Sequence, residues 1–105
     1  MKQVEADRVR IDVWLWRARF AKTRAAAARL VAEGGVRLIR ENQTRRLDKA
    51  SVTIACGDML VLPMQGKLRA VRVEFLGVRR GPPAEAHTLY RDLEAELVRS
   101  LDALA

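Results

Sequence analysis

The spacing of hydrophobic residues changes from helical to strand-like at Gly34 and Gly35, which limits the chain to folds that place helices before a sheet. One side of a first helix, predicted over roughly residues 9 to 20, is lined at i, i+3, i+4 and i+7 by Ile11, Trp14, Leu15 and Ala18. Thr23 is placed to cap a second helix, which the two glycines end. Because only Ala21 and Lys22 link the helices, the two must form a compact helical hairpin.

After the glycines, short apolar segments separated by turn residues predict strands. These segments are 36–39, 52–55 and 59–62, the last ending at Pro63, with turns at Gly57–Asp58 and Gln65–Gly66. In the strand that follows, the alternation changes parity at Ala70 and Val71, which predicts a bulge or a sharp twist. The polar residues 40–50 predict a basic loop between strands.

Pro82 and Pro83 predict the start of a last helix over residues 83–104, because proline is tolerated in a first helical turn. An apolar seam follows at intervals of three or four residues: Ala86, Leu89, Tyr90, Leu93, Leu97, Leu101 and Leu104. Docking on the sheet is the ordinary role of such a seam, and pairing with another chain is the alternative. The expected fold is a single α+β domain over residues 1–105 with its core at 8–80. A helical hairpin packs on a small, twisted, mostly antiparallel sheet, and the carboxyl-terminal helix closes it.

The charge is concentrated in one part of the chain. The 105 residues carry a net charge of +7, and residues 8–49 alone hold 12 basic and 4 acidic side chains. These cations alternate with apolar positions of ordered elements, which favours a binding face over a merely solvated one. A polyanion is the expected partner, with nucleic acid first and an anionic membrane surface second.

Neither a membrane span nor a disulfide is predicted. No apolar run approaches the roughly 18 residues that cross a bilayer, the first residues lack the apolar region of a secretory signal, and Cys56 is the only cysteine. We therefore expect a soluble, cytoplasmic protein that does not bind membranes.

Residues that carry catalysis are sparse, so we expect neither an enzyme nor a metal or cofactor site. Cys56 and His87 lie on separate segments, and the chain shows no glycine-rich phosphate loop and no nucleophile signature. Trp14 and Trp16 are predicted to be buried against different elements, with nucleobase stacking as the alternative. Asp12, amid arginines, is expected to form an internal ion pair that orients one of them.

The string ArgIleAspValTrpLeuTrpArgAlaArgPheAlaLysThrArg, residues 10–24, resembles the ribosome-associated fifteen-kilodalton heat-shock protein family. The resemblance continues through Ala27, Leu30, Val31, Gly34, Gly35 and Val36, which are similar to the helix–helix–strand motif of the RNA-binding domain first named from ribosomal small-subunit protein four. It resumes at Gly57 and Asp58, and again at Arg79, Arg80, Gly81, Pro82, residues 84–86, Leu89 and Tyr90. This chain has Ile39 where the family usually has asparagine, and Lys49, Ala50 and Ser51 follow a loop some four residues longer than usual.

The resemblance implies the alpha-L RNA-binding motif and non-catalytic binding of structured RNA. By the same resemblance the partner is the large ribosomal subunit, bound through its RNA during rescue or recycling of stalled subunits under heat stress. We expect the protein to act as a monomer. The predicted RNA contacts are Arg10, Arg17, Arg19, Lys22, Thr23, Arg24, Arg37, Arg40, Arg45, Arg46 and Lys49.

Two other functions fit parts of the pattern. Two short helices joined by a tight turn also describe a DNA-binding helix-turn-helix regulator. Domains of the resembling type also occur fused to RNA-modifying enzymes, although this chain has no residues left over for a catalytic domain.

Overall fold

Three short α-helices, one 3₁₀ turn and seven strands make up residues 7–93, the part of the chain that the computed structural model describes. In chain order they are β1 (Val9–Arg10), α1 (Ile11–Arg17), α2 (Arg24–Ala32), β2 (Arg37–Arg40), β3 (Gln43–Arg46), β4 (Thr53–Ile54), β5 (Met59–Met64), β6 (Lys67–Val73), α3 (Pro83–Ala86), the 3₁₀ turn (His87–Leu89) and β7 (Tyr90–Asp92). Five strands form an antiparallel sheet in the order β3-β2-β5-β6-β7, and β1 pairs with β4 apart from it.

The helical hairpin is present, with a shorter first helix than predicted. α1 begins at Ile11 because Val9 and Arg10 pair with Ile54 and Thr53. It ends at Arg17, and Arg19 then adopts a positive φ of 67°, which turns the chain toward α2. The predicted cap is confirmed, since the Thr23 Oγ1 accepts a hydrogen bond from the Ala26 amide at 2.9 Å.

The hydrophobic core lies between this hairpin and one face of the sheet, which confirms the α+β fold class. α1 and α2 contribute Ile11, Trp14, Leu15, Ala27 and Val31, all fully buried. The sheet contributes Leu38, Leu60, Leu62, Val71 and Val73. Alternate residues of the strands lie on the opposite face.

The prediction of a loop over residues 40–50 is wrong for its first half. Gln43–Arg46 form β3, which pairs with β2 through a two-residue turn. Both turn residues, Glu41 and Asn42, have positive φ, as the tightest β-hairpin turns require. All four residues of β3 are exposed, so this edge strand has no hydrophobic alternation to mark it.

Two further details of the sheet differ from prediction. β5 continues through Pro63, which pairs only with Leu68 of β6 because the ladder between β5 and β2 ends at Val61. No bulge interrupts β6, whose register with β5 is continuous from residue 67 to residue 72. Ala70 and Val71 are both buried, although adjacent strand residues point to opposite faces of the sheet.

The predicted last helix begins at Pro83 and is wrong beyond Ala86. The chain instead forms the 3₁₀ turn and then β7, which pairs with β6. This strand brings the ring of Tyr90 to 4.6 Å from that of Phe20, between centroids. The rest of the predicted helix, with Leu97, Leu101 and Leu104, lies outside the described residues.

Candidate nucleic-acid interface

The turn between α1 and α2 presents cations to solvent. Lys22 and Arg24 are exposed, and within residues 7–93 neither side chain has a hydrogen bond or an ion pair. Thr23 lies between them, and its hydroxyl oxygen is used to cap α2. The amino-terminal amides of α2 add a partial positive charge at the same place. The turn therefore combines two uncompensated cations with a helix end that attracts anions.

Two other predicted contacts hold a distant loop. The Nη1 of Arg17 donates to the carbonyl of Gly77 at 2.8 Å, and the Nε of Arg19 donates to the carbonyl of Gly81 at 2.7 Å. Residues 74–81, which we call the clasped loop, are thereby fixed along α1. Arg19 is still exposed, whereas Arg17 is half-buried.

Arg10 and Arg40 are engaged in bidentate ion pairs. Arg10 donates to the two oxygens of Asp12 at 3.1 and 2.8 Å, which confirms the expected internal pair of Asp12. Arg40 donates to Asp58 at 2.9 and 2.6 Å. In each case the pKa of the arginine is raised above its ordinary value, mainly by the hydrogen bond to the carboxylate. Both arginines are therefore paired with carboxylates of the protein itself, although half of the Arg10 side chain is exposed to water.

The cations of the β2–β3 hairpin divide between the two faces of the sheet. Arg45 lies opposite Leu38 and so shares the face that carries the helical hairpin. There a recess of about 160 Å³ is lined by Leu38, Arg40, Glu41, Gln43 and Arg45. Arg37 and Arg46 pair on the other face, where the Nε of Arg46 donates to the carbonyl of Gly34 at 2.7 Å.

Lys49 follows this hairpin and is exposed, with no partner among the described residues. It lies near the start of α1, because the Asp12 amide donates to the carbonyl of Ala50 at 3.4 Å. The structure thus places Arg19, Lys22, Thr23, Arg24, Arg45 and Lys49 on the side of the helical hairpin. Arg37 and Arg46 lie apart from them, on the other face of the sheet. Arg10, Arg17 and Arg40 form hydrogen bonds to other groups of the protein.

The tryptophans differ in environment. Trp14 is fully buried and its indole N–H donates to the carbonyl of Phe75 at 2.9 Å, so its predicted core role is confirmed. Trp16 keeps an intermediate exposure, so the prediction that both indoles are buried is wrong for Trp16. Trp16 is not among the partly buried hydrophobic residues that pack against the core.

Other reactive residues are isolated in the structure. Cys56 is a free, exposed thiol, and His87 is exposed with its ring edge-on to Tyr90 at 6.1 Å. Among residues 7–93, no three His, Cys, Asp or Glu side chains are grouped closely enough to hold a metal ion. Within the same residues, no helix has the length and apolar character that crossing a membrane requires.

The exposed residues of the clasped loop are not predicted from the sequence. Phe75 is 61% exposed and Val78 is 86% exposed. Phe75 continues the alternation of β6 and therefore resembled an inward-facing strand residue. In the structure β6 ends at Val73, and the next carbonyls accept hydrogen bonds from side chains of α1.

Comparison with known proteins defines the class. Residues 9–38, which span α1, α2 and the start of β2, match the model of the S4 domain. The helical hairpin with its cationic turn therefore belongs to an RNA-binding protein of the S4 class.

Relatives over the whole chain define the family. The chain is 35% identical over 105 residues to heat shock protein 15 of Escherichia coli K12, covering all of this chain and 74% of that protein. It is 33% identical over 89 residues to the heat shock protein 15 homolog of Haemophilus influenzae, covering 85% of this chain and 64% of the homolog. A trimeric structure of Vibrio cholerae heat shock protein 15 superposes with a TM-score of 0.72 at 31% identity, covering 92% of this chain and 94% of that one. The chain belongs to the heat shock protein 15 family.

Proposed function

We propose that this protein binds structured ribosomal RNA of the large subunit, without catalysis, during rescue or recycling of stalled subunits under heat stress in the cytoplasm. The observation that carries the proposal is the turn of the helical hairpin. There Lys22 and Arg24 are exposed and unpaired among the described residues, beside the capped end of α2. An RNA backbone supplies the phosphate groups that such a turn attracts.

Shape supports a folded RNA as the ligand. α1 and α2 are fixed on the sheet by fully buried side chains, so the cations at their turn are held in a defined arrangement. Arg45 and Lys49 add positive charge on the same side from a separate part of the chain. Double-stranded RNA is recognised mainly by its shape and phosphates, and a rigid set of cations selects backbones with matching phosphate spacing. Arginine adds bidentate phosphate bonds to this selection.

A DNA-binding regulator is the alternative, and the surface of α2 argues against it. A recognition helix needs several side chains that form hydrogen bonds with base edges in the major groove. The exposed residues of α2 are Arg24, Ala25, Arg29 and Ala32, so only two of them have polar side chains. This composition suits phosphate contacts better than base reading.

Each chain carries the cationic turn in full, so we propose that the monomer is the RNA-binding unit. The Vibrio cholerae relative is a trimer in its structure, which gives a defined alternative. Sedimentation velocity of the free and RNA-bound protein distinguishes the two. A stoichiometry of one chain per RNA supports the monomer, and a trimeric complex contradicts it.

Sedimentation of a cell lysate through a sucrose gradient tests the partner. The protein is expected to travel with large ribosomal subunits at low salt and to leave them at high salt, because phosphate contacts release condensed counterions. Ribosomal RNA should also compete for the purified protein better than duplex DNA of equal length. Migration only at the top of the low-salt gradient, or equal competition by DNA, contradicts the proposal.

A further inference from the structure

The clasped loop holds an exposed aromatic ring on a fixed backbone. Both backbone groups of Phe75 are bonded: its amide donates to the carbonyl of Leu89 at 3.2 Å, and its carbonyl accepts from the Trp14 indole at 2.9 Å. The side chain is nevertheless 61% exposed. An exposed phenylalanine forfeits the free energy that burying its ring would gain. An exposed aromatic ring on a fixed backbone is the arrangement of a stacking platform for nucleobases.

The rest of the loop is fixed as firmly. Gly77 has a φ of 74°, and a Cβ at this position would lie 3.1 Å from the Cδ1 of Leu89. Arg17 donates to the Gly77 carbonyl and Arg19 donates to the Gly81 carbonyl. The ring of Phe75 is therefore presented on a loop whose two ends and middle are all bonded to other elements.

The loop is continuous with the cationic turn. Its Phe75 end is bonded to Trp14, and its Gly81 end is bonded to Arg19, which adjoins Lys22. The two anchoring residues, Trp14 and Arg19, lie five positions apart in the chain, at α1 and at the turn that follows it. A polynucleotide held by its phosphates at the turn can therefore place a base over the loop.

The charge around the loop favours a polyanion. Arg17 and Arg19 donate to carbonyls of the loop, and Arg79 and Arg80 are part of it. The carboxylates in or next to the loop are those of Glu74 and Glu85. Arg79 donates to Glu85 at 3.2 and 2.6 Å, which compensates that carboxylate. A second copy of a chain with net charge +7 would bring more positive charge to the same place. RNA can interact with both features, because its bases stack on aromatic rings and its phosphates bind cations.

We propose that the clasped loop is a second RNA-binding element, in which the ring of Phe75 stacks on an unpaired nucleobase of an RNA whose backbone is held by the cationic turn. This inference rests on the proposed RNA-binding function and extends it from phosphate contacts to a preference for an unpaired base. Val78, three residues further along the loop, is also exposed.

Two synthetic RNA hairpins, identical except for one bulged 2-aminopurine in the stem of one, provide the probe. The wild-type protein should bind the bulged hairpin about tenfold more tightly than the fully paired hairpin, which corresponds to about 1.4 kcal/mol and is within the range for one stacked base. Binding should also quench the 2-aminopurine fluorescence. Phe75→Ala should abolish both the preference and the quenching while retaining the affinity for the paired hairpin, and Phe75→Tyr should restore both.

Leu68→Ala is the matched control, because Leu68 is 59% exposed on β6 and lies on the face of the sheet opposite to Val71 and Val73. It should bind like wild type. Phe75→Leu keeps apolar bulk without an aromatic ring. If this variant has the urea midpoint of wild type but does not quench the 2-aminopurine fluorescence, the ring itself stacks. If Phe75→Ala lowers affinity for both hairpins equally, or keeps the tenfold preference, the inference is wrong.

The outcomes also separate this inference from the proposed function. Tight but equal binding of the two hairpins by wild type overturns the stacking element and leaves the proposed function standing. Binding of neither hairpin nor ribosomal RNA overturns both. A change of oligomeric state in Phe75→Ala, measured by sedimentation velocity, would assign the ring to a protein interface and also overturns the inference.

Discussion

Arg40 reaches across from β2 to place its guanidinium on the two oxygens of Asp58, at 2.9 and 2.6 Å. Asp58 is buried and also accepts a hydrogen bond from the Ala55 amide at 2.8 Å. The pair therefore joins the sheet to the turn that precedes β5. It shows why a basic residue in a basic segment need not be a ligand contact.

Replacing Asp58 should destabilise the fold. Asp58→Ala leaves the partly buried Arg40 and the Ala55 amide without their acceptor, and we expect the free energy of unfolding to fall by roughly 2 to 3 kcal/mol. Urea denaturation at neutral pH measures this. Asp48→Ala is the control, because Asp48 is exposed and has no partner within residues 7–93. Equal midpoints for the two variants would contradict a structural role for the pair.

Trp14 should contribute to folding and have little direct part in RNA binding. Trp14→Ala removes a fully buried indole and should cost roughly 3 to 5 kcal/mol. Trp14→Phe keeps much of the volume but loses the bond to the Phe75 carbonyl, so a smaller loss of roughly 1 to 2 kcal/mol is expected. Urea melts measure both. A Trp14→Ala variant as stable as wild type but with collapsed RNA affinity would reverse this assignment.

The cap of α2 gives a test of how the cationic turn is held. Thr23→Ala removes the acceptor of the Ala26 amide and should lower stability by about 1 kcal/mol. Thr23→Ser keeps the oxygen and should behave nearly as wild type. Thermal denaturation followed by circular dichroism makes the comparison. A loss of RNA affinity in the serine variant at unchanged stability would mean that the threonine methyl group itself contacts the ligand.

The ion pair between Arg79 and Glu85 predicts a small pH effect. The hydrogen bond from Arg79 is the main reason that the pKa of Glu85 lies below its ordinary value, with their charge attraction adding to it. A carboxyl with a depressed folded pKa stabilises the protein above its unfolded pKa, roughly 4.3, and loses that contribution as the pH falls through the folded value.

Glu85→Gln should therefore unfold at a lower urea concentration than wild type at pH 7, with the difference vanishing toward pH 3. Because the pair is exposed, the difference will be small. Urea midpoints at intervals from pH 7 to pH 3 measure it. A difference that persists unchanged at pH 3 would mean that the glutamine acts through packing rather than through charge.

The helical hairpin and the sheet order around β5 and β6 follow from local signals. The spacing from Ile11 to Ala18, the cap at Thr23 and the glycines at 34 and 35 each act within a few residues. β3 carries no such signal, because its side chains are all exposed. β7 was predicted as helix because Leu89 and Leu93 have helical spacing. In the structure, pairing with β6 makes the residues between them a strand.

The residues of the candidate site were predictable from the sequence only where their exposure follows from a local turn. Lys22 and Arg24 are exposed because they occupy a tight turn, and the sequence marks that turn. The roles of Arg17 and Arg19 were not predictable, since the carbonyls that they bind are 60 and 62 residues away along the chain. The same long-range contacts define the clasped loop and expose Phe75.

The charges at the hairpin turn should dominate RNA affinity. Arg24→Ala and Lys22→Ala should each weaken binding by roughly 1 to 3 kcal/mol, as expected for charge-assisted phosphate bonds, without altering the urea midpoint. Arg37→Ala is the matched control for Arg24→Ala, because it removes the same charge from the opposite face of the sheet. Filter binding with ribosomal RNA at fixed salt gives the affinities.

The salt dependence of RNA affinity measures the number of phosphate contacts. With roughly five to eight cations on phosphates, the log-log slope of the association constant against salt should lie near −4 to −7 for wild type. The Lys22→Ala/Arg24→Ala variant should reduce its magnitude by roughly 1.4 to 1.8, the amount expected for two lost phosphate contacts, while Arg37→Ala leaves it unchanged. If Arg37→Ala reduces the slope and the double variant does not, RNA binds the opposite face of the sheet, and the cationic turn is not the interface.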